Sequence, residues 1–179
     1  MKQFEKFMKL KRILEQSYRR RFGMKKLLAI VLSCVMVIGT AACGSKEAAP
    51  ETVGEYLAVD FKENAEGTAQ EIADRMLANE VIAFEGASMP VEPGLLMGFD
   101  NAEITGFEEG VMFGPMIGTI PFVGYVFTLE EGTDVEAFQQ TLKDNANLRW
   151  NICNEAEELT VEAEGNTVLF LMSPKSFEE

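Results

Sequence analysis

Between Val111 and Leu129 lie 19 residues without one charged side chain, and no other feature limits the fold of this chain as strongly. A stretch of that length is long enough to cross a bilayer as a helix. Gly114, Pro115, Gly118, Pro121 and Gly124 interrupt it, however, and these residues weaken a helix or deprive it of a backbone donor. Two adjacent buried strands, roughly Glu108 to Phe113 and Ile120 to Leu129, joined near Gly114 to Gly118, accommodate the same residues. An apolar loop in this region that touches a membrane or a partner is the functional alternative.

The flanking sequence fits a sheet. Leu159, Val161 and Ala163 alternate with Thr160, Glu162 and Glu164, the period of a strand with one wet face. Gly165-Asn166 then gives a two-residue hairpin turn, and Thr167 to Met172 is apolar almost throughout, as a central strand should be. Thr68-Ala69-Gln70-Glu71 has the capping-box pattern, in which hydroxyl and carboxylate satisfy each other's free backbone donors. Behind it Ala69, Ile72, Ala73, Met76 and Leu77 form one helical stripe ending near Asn79. Thr133-Asp134-Val135-Glu136 repeats the capping pattern before a helix running to about Leu148, with Val135, Phe138 and Leu142 on its buried side. Val81 to Phe84 reads as a short strand, Gly86 to Pro93 as loop, and Ala102 to Phe107 as the start of an extended stretch. Val53 to Asn64 is ambiguous between a helix and a docking segment. The expected fold is α+β: an antiparallel sheet of about four to five strands with two helices packed on one face.

The first 55 residues read differently. Lys25 and Lys26 precede an apolar stretch, Leu27 to Ile38, and then small residues ending at Ala42, the three parts of a secretory leader in order. Cys43 follows directly, so Gly39 to Cys43 resembles a lipobox, with Thr40 where Leu is usual. Cleavage after Ala42 would leave Cys43 as a lipidated N-terminus, and a diacylglyceryl group supplies the two chains that stable anchoring needs. The expected layout is an upstream extension over 1–23 with translation starting at Met24, a lipoprotein signal peptide over 24–42, a tether over 43–55 and a single domain over 56–179. The expected location is the extracytoplasmic face of the cell membrane.

Residues 1–42 hold 10 of the 16 basic residues and 2 of the 29 acidic ones, leaving 6 against 27 and a net charge of −21 from Cys43 onward. Nucleic acid is thereby excluded as a partner, because phosphate binding needs clustered Lys and Arg. The chain has no His, which removes Ser-His-Asp and Cys-His catalysis and His-ligated zinc. Asp100-Asn101-Ala102-Glu103 lacks the alternating ligands of a calcium loop and reads as a turn with solvated carboxylates. No metal site and no cofactor is expected. Cys153, beside Trp150 and Ile152, reads as a buried small apolar residue, since a reactive thiolate wants a basic neighbour. Arg149 next to Trp150, the only Trp, is the candidate ligand contact, because guanidinium and indole together can hold an anion or a sugar. Met76, Met89, Met97, Met112, Met116 and Met172 are read as core filler, Met also being suited to permissive binding surfaces.

Three sets of residues, Tyr125-Val126-Phe127, Asn147 to Cys153, and Val168-Leu169-Phe170-Leu171-Met172-Ser173-Pro174, carry a family resemblance. With them the stretch from about Phe99 to Pro174 resembles a group of uncharacterised small lipoprotein domains of Gram-positive anaerobic bacteria. The resemblance implies a compact, secreted and tethered domain. It implies no activity and carries over no functional residue. The functional expectation is a membrane-tethered, non-enzymatic domain that binds a protein or a small molecule. The alternatives are a hydrolase-type enzyme using Asp/Glu or a bound cation, and a purely structural envelope protein.

Overall fold

The computed structural model describes residues 49–100, 102–116 and 119–177. Ala42, Cys43 and the leader lie outside them. Ten elements follow in chain order: α1 (Val53–Glu63), α2 (Ala69–Leu77), β1 (Gly86–Pro90), β2 (Gly94–Leu95), β3 (Glu103–Ile104), β4 (Phe107–Pro115), β5 (Val123–Leu129), α3 (Val135–Asn145), β6 (Glu158–Glu164) and β7 (Thr167–Ser173). Five strands make one antiparallel sheet in the order β1-β4-β5-β7-β6, and β2 with β3 forms a separate two-stranded ribbon. The uncharged stretch therefore supplies the paired strands β4 and β5. No helix among the described residues is long and apolar enough to cross a membrane.

Strand geometry sends successive side chains to opposite faces, and β5 and β7 are apolar on both. Val126, Leu169 and Leu171 point to one face, while Val123, Tyr125, Phe127, Val168, Phe170 and Met172 point to the other. Both faces must be covered. On the first, α1 lies over β6 and β7, and α2 over β1, β4 and β5. On the second, α3 reaches β6 and β7, with Phe138 meeting Phe127 edge-on at 5.4 Å between ring centroids. One face thus carries two helices, as expected. The two helices with clear capping signals do not share it: α2 and α3 sit on opposite faces, and α1 is the companion of α2. An amphipathic stripe specifies that a helix buries one side, not which side of a sheet receives it.

A bulge at the start of β4 reconciles its sequence with both layers. Phe107 pairs with Leu129 but Glu109 with Thr128, so Glu108 is the extra residue. Without it Phe107 would face the same way as Val111 and Phe113. With it Phe107 turns to the α3 side and meets Phe127 in a tilted pair with ring centroids 4.8 Å apart.

Helix ends are closed by side chains. The Thr68–Glu71 capping box forms as the sequence indicates, and its hydrogen bonds from the Thr68 backbone and hydroxyl hold the Glu71 carboxyl below its ordinary value. A second capping box, Thr52 with Glu55, starts α1 inside the segment expected to be tether, and it settles the ambiguity of Val53 to Asn64 in favour of a helix. At α3 the cap is Asp134, whose carboxylate accepts from the Ala137 amide. Thr133, expected to cap, donates instead to the Gly106 carbonyl at 3.1 Å, and the helix ends at Asn145 rather than Leu148. Two remote acids reach helix starts as well. Glu158 accepts from the Gly54 amide at 2.6 Å and Glu109 from the Ala69 amide at 3.3 Å, where the helix dipole favours negative charge. Between α1 and α2, Asp60 lies 3.8 Å from the Arg75 guanidinium and accepts from the Asn79 side chain at 3.0 Å.

Two expectations fail between α2 and β2. Val81 to Phe84 forms no strand, and Gly86 to Pro90, expected as loop, is the edge strand β1. The hairpin turn at Gly165-Asn166 forms as expected, with Gly165 at φ 60°. The face of β6 expected to be wet is in part covered by α1, and Lys62 reaches Glu162 at 3.1 Å.

Gly124 sits directly across from Phe113, and a Cβ at this position would run into the Phe113 ring. The ring fills the space a side chain would need. Gly124→Ala should therefore destabilise the domain by about 1–3 kcal/mol through overpacking, read as a lower midpoint in urea unfolding at unchanged slope.

Candidate functional site

The incomplete cover of the α3 face makes the site. Because α3 lies over β6 and β7 and reaches β5 through Phe138, the β1–β4 half of that face receives no helix among the described residues. Ala87 and Met89 on β1 pair with Gly114 and Met112 on β4, so all four project to the same side. Small residues at 87 and 114 leave room between the longer ones. A cleft of about 530 Å³ opens there, within the usual size range for small-molecule pockets.

Its walls come from two loops. After α3 the chain is pinned to the segment before β3: Phe99 bridges Ala146, the Asn147 amide donates to the Gly98 carbonyl at 2.8 Å, and the Asp100 amide to the Asn145 carbonyl at 2.9 Å. These bonds bring residues 150–153 beside Met97. The same loop is laced to the β4–β5 connection by Asn154, which donates to the Thr119 carbonyl at 2.6 Å, and more weakly by Asn151 to Ile120 at 3.5 Å. The Tyr125 hydroxyl fixes the other wall, donating to the Met97 carbonyl at 2.8 Å from a fully buried ring.

The lining is rich in sulfur and free of charge. Met89, Met97, Met112 and Met116 contribute to it, as does Cys153, and among the described residues no Asp, Glu, Lys or Arg does. Four of the six methionines beyond residue 42 thus meet at one place. Met76 and Met172 are fully buried in the core and Met112 packs partly against it, while Met89, Met97 and Met116 are exposed, which corrects the reading of the whole set as filler. Cys153 is also a correction: it is exposed, at the lip of the cleft rather than in the core. Ile152 beside it is 96% exposed.

The expected pair at Arg149 and Trp150 is divided. Trp150 lines the cleft and packs partly against the core. Arg149 points to solvent, 3.7 Å from Glu155, and does not line the cleft. Asp100 accepts from the Asn147 side chain at 2.7 Å, which is a loop-fixing role. Among the described residues no group of three or more His, Cys, Asp or Glu side chains could hold a metal ion. Sequence reading missed Met89, Met97, Met112, Met116 and Ile152 as members of one site. The usable signal was a set of apolar residues in segments that also carry loop residues, such as Met89 before Pro90 and Met116 after Pro115.

No protein-family model, curated protein or solved structure matches the chain.

Burial pushes the Tyr125 phenol well above its ordinary range. The unfolded phenol titrates near pH 10, so its share of stability is complete below that pH and is lost as pH rises above it. Tyr125→Phe should abolish this alkaline component, visible as a shallower fall of the unfolding free energy above about pH 10. The same change removes the bond to Met97 and should cost about 0.5–1.5 kcal/mol at neutral pH.

Proposed function

We propose that this chain is a membrane-tethered extracytoplasmic lipoprotein whose domain binds an apolar ligand, or an apolar segment of a partner, in the methionine-lined cleft without catalysing a reaction. In this reading the leader is cut after Ala42, Cys43 carries the lipid, and the domain belongs with the small lipoprotein domains it resembles. The observation that carries the binding role is the uncharged cleft in a chain with 27 acidic residues beyond residue 42. Solvated carboxylates are easily accommodated at any surface position, so a concave site kept free of them suits an apolar guest. Flexible thioethers adapt to guests of differing shape, and the exposed residues Met89, Met97, Met116 and Ile152 put that surface in reach of solvent.

Trp150 is the only Trp in the chain, so its emission reports on the cleft alone. Titration with Nile red, a neutral apolar dye, should quench Trp150 and saturate. Met89→Glu and Met116→Glu each place a carboxylate in the lining at an exposed position. Each should weaken dye binding tenfold or more, about 1.4 kcal/mol, with the thermal midpoint unchanged. Unaltered affinity in both variants would remove the cleft as the binding site. The anchor is tested by metabolic labelling with a fatty-acid analogue: label should be present in the natural chain and absent from Cys43→Ala.

A further inference from the structure

We propose that the lip of the cleft seats on the outer surface of the lipid bilayer and that the cleft takes an acyl chain of a membrane phospholipid, an inference that rests on the anchored reading above. Seven large hydrophobic side chains are exposed among the described residues, and four of them, Met89, Met97, Met116 and Ile152, line this one cleft. The lining offers little to orient a polar guest. Asn151 is its one amide side chain among the described residues, and that amide already faces the Ile120 carbonyl. Trp150 at the wall has the apolar body and polar tip favoured at membrane–water boundaries.

The position of the tether selects the bilayer over other apolar occupants. The Val53 amide donates to the Lys175 carbonyl at 2.9 Å, and Glu158 joins the Gly54 amide to the Ser173 hydroxyl at 2.6 and 3.0 Å. The start of α1 is thus fastened at the Ser173 end of β7. Val123, which lines the cleft, pairs with Met172 at that same end of the sheet. Phe177 continues the connection, with its ring 6.3 Å from that of Phe122, another lining residue. The cleft and the attachment of the tether share one end of the domain. Nine residues, Gly44 to Thr52, separate Cys43 from α1, a reach of at most about 30 Å. A linker this short holds the lip at an effective concentration on the order of millimolar toward the surface, so a weak apolar contact suffices. The net charge of −21 beyond residue 42 opposes approach to anionic headgroups, but that repulsion is screened beyond about 8 Å at physiological ionic strength.

The chain, isolated from membranes of expressing cells, is reconstituted into phosphatidylcholine vesicles with brominated acyl chains, and flotation and Trp150 emission are measured on the same sample. Emission should fall to half or less of that in unbrominated vesicles at equal flotation. Ile152→Asp combined with Met116→Asp should still float, keep its thermal midpoint and lose the quenching. In phosphatidylglycerol vesicles quenching should be weaker at low salt and approach the phosphatidylcholine value at high salt. A chain that floats with Trp150 unquenched overturns the docking and leaves the cleft to an apolar protein segment. A chain that fails to float overturns the docking together with the anchor.

Discussion

Strands β5 and β7 are apolar on both faces, and the rest of the molecule follows from having to cover them twice. A residue on a strand faces the opposite way from its neighbours, so Val126, Leu169 and Leu171 demand one layer while Tyr125, Phe127 and Phe170 demand another. Helices α1 and α2 complete the first layer across the full width of the sheet. The second layer has one helix and a set of loops. Aromatic rings fill part of the difference: Phe107, Tyr125, Phe127, Phe170 and Phe99 form a contiguous group next to Phe138, and such pairs contribute about 0.5–1.5 kcal/mol each beyond area burial. What they do not fill, over β1 and β4, is the cleft.

The carboxylates divide into two uses. Glu55, Glu71 and Asp134 close their own helices, and Glu109 and Glu158 reach across the fold to the starts of α2 and α1. These groups turn a large negative charge into local order at helix ends, where free amides and the dipole favour it. The remainder lie at or near the surface, some of them bonded there, as Asp60 is to Arg75 and Asn79, Asp100 to Asn147 and Glu162 to Lys62. Neither use places a charge in the cleft, and this makes its uncharged lining informative. Thermodynamically it is a region where apolar area stays exposed in the absence of a guest.

The parts of the fold that were legible in the sequence depend on neighbours within a few residues. The Thr68–Glu71 box, the alternation from Leu159 to Ala163 and the Gly165-Asn166 turn each encode their own geometry. Strand β1 was not legible. Gly86-Ala87-Ser88-Met89-Pro90 has no alternation and little β propensity, and it becomes a strand because β4 offers an unpaired edge. The candidate site was hidden for the same reason, since Met89 and Met112 become neighbours only through that pairing. Cys153 and Trp150 were legible as residues of interest but not in their surroundings. Which of them faces the core depends on hydrogen bonds that fasten residues 145–154 to the loops at Gly98 and Thr119.

The amino-acid sequence by itself determined the acidity, the absence of histidine chemistry, and an antiparallel α+β domain built on two uncharged strands. These rest on composition and on short-range periodicity, which need no knowledge of distant contacts. Tertiary structure alone decided that α2 and α3 take opposite faces, that Phe107 turns through a bulge, and that four scattered methionines line one cleft. Burial of an apolar side chain lowers the free energy wherever a complementary surface exists. That driving force is non-directional, and only the assembled sheet says where such a surface is, and where it is missing.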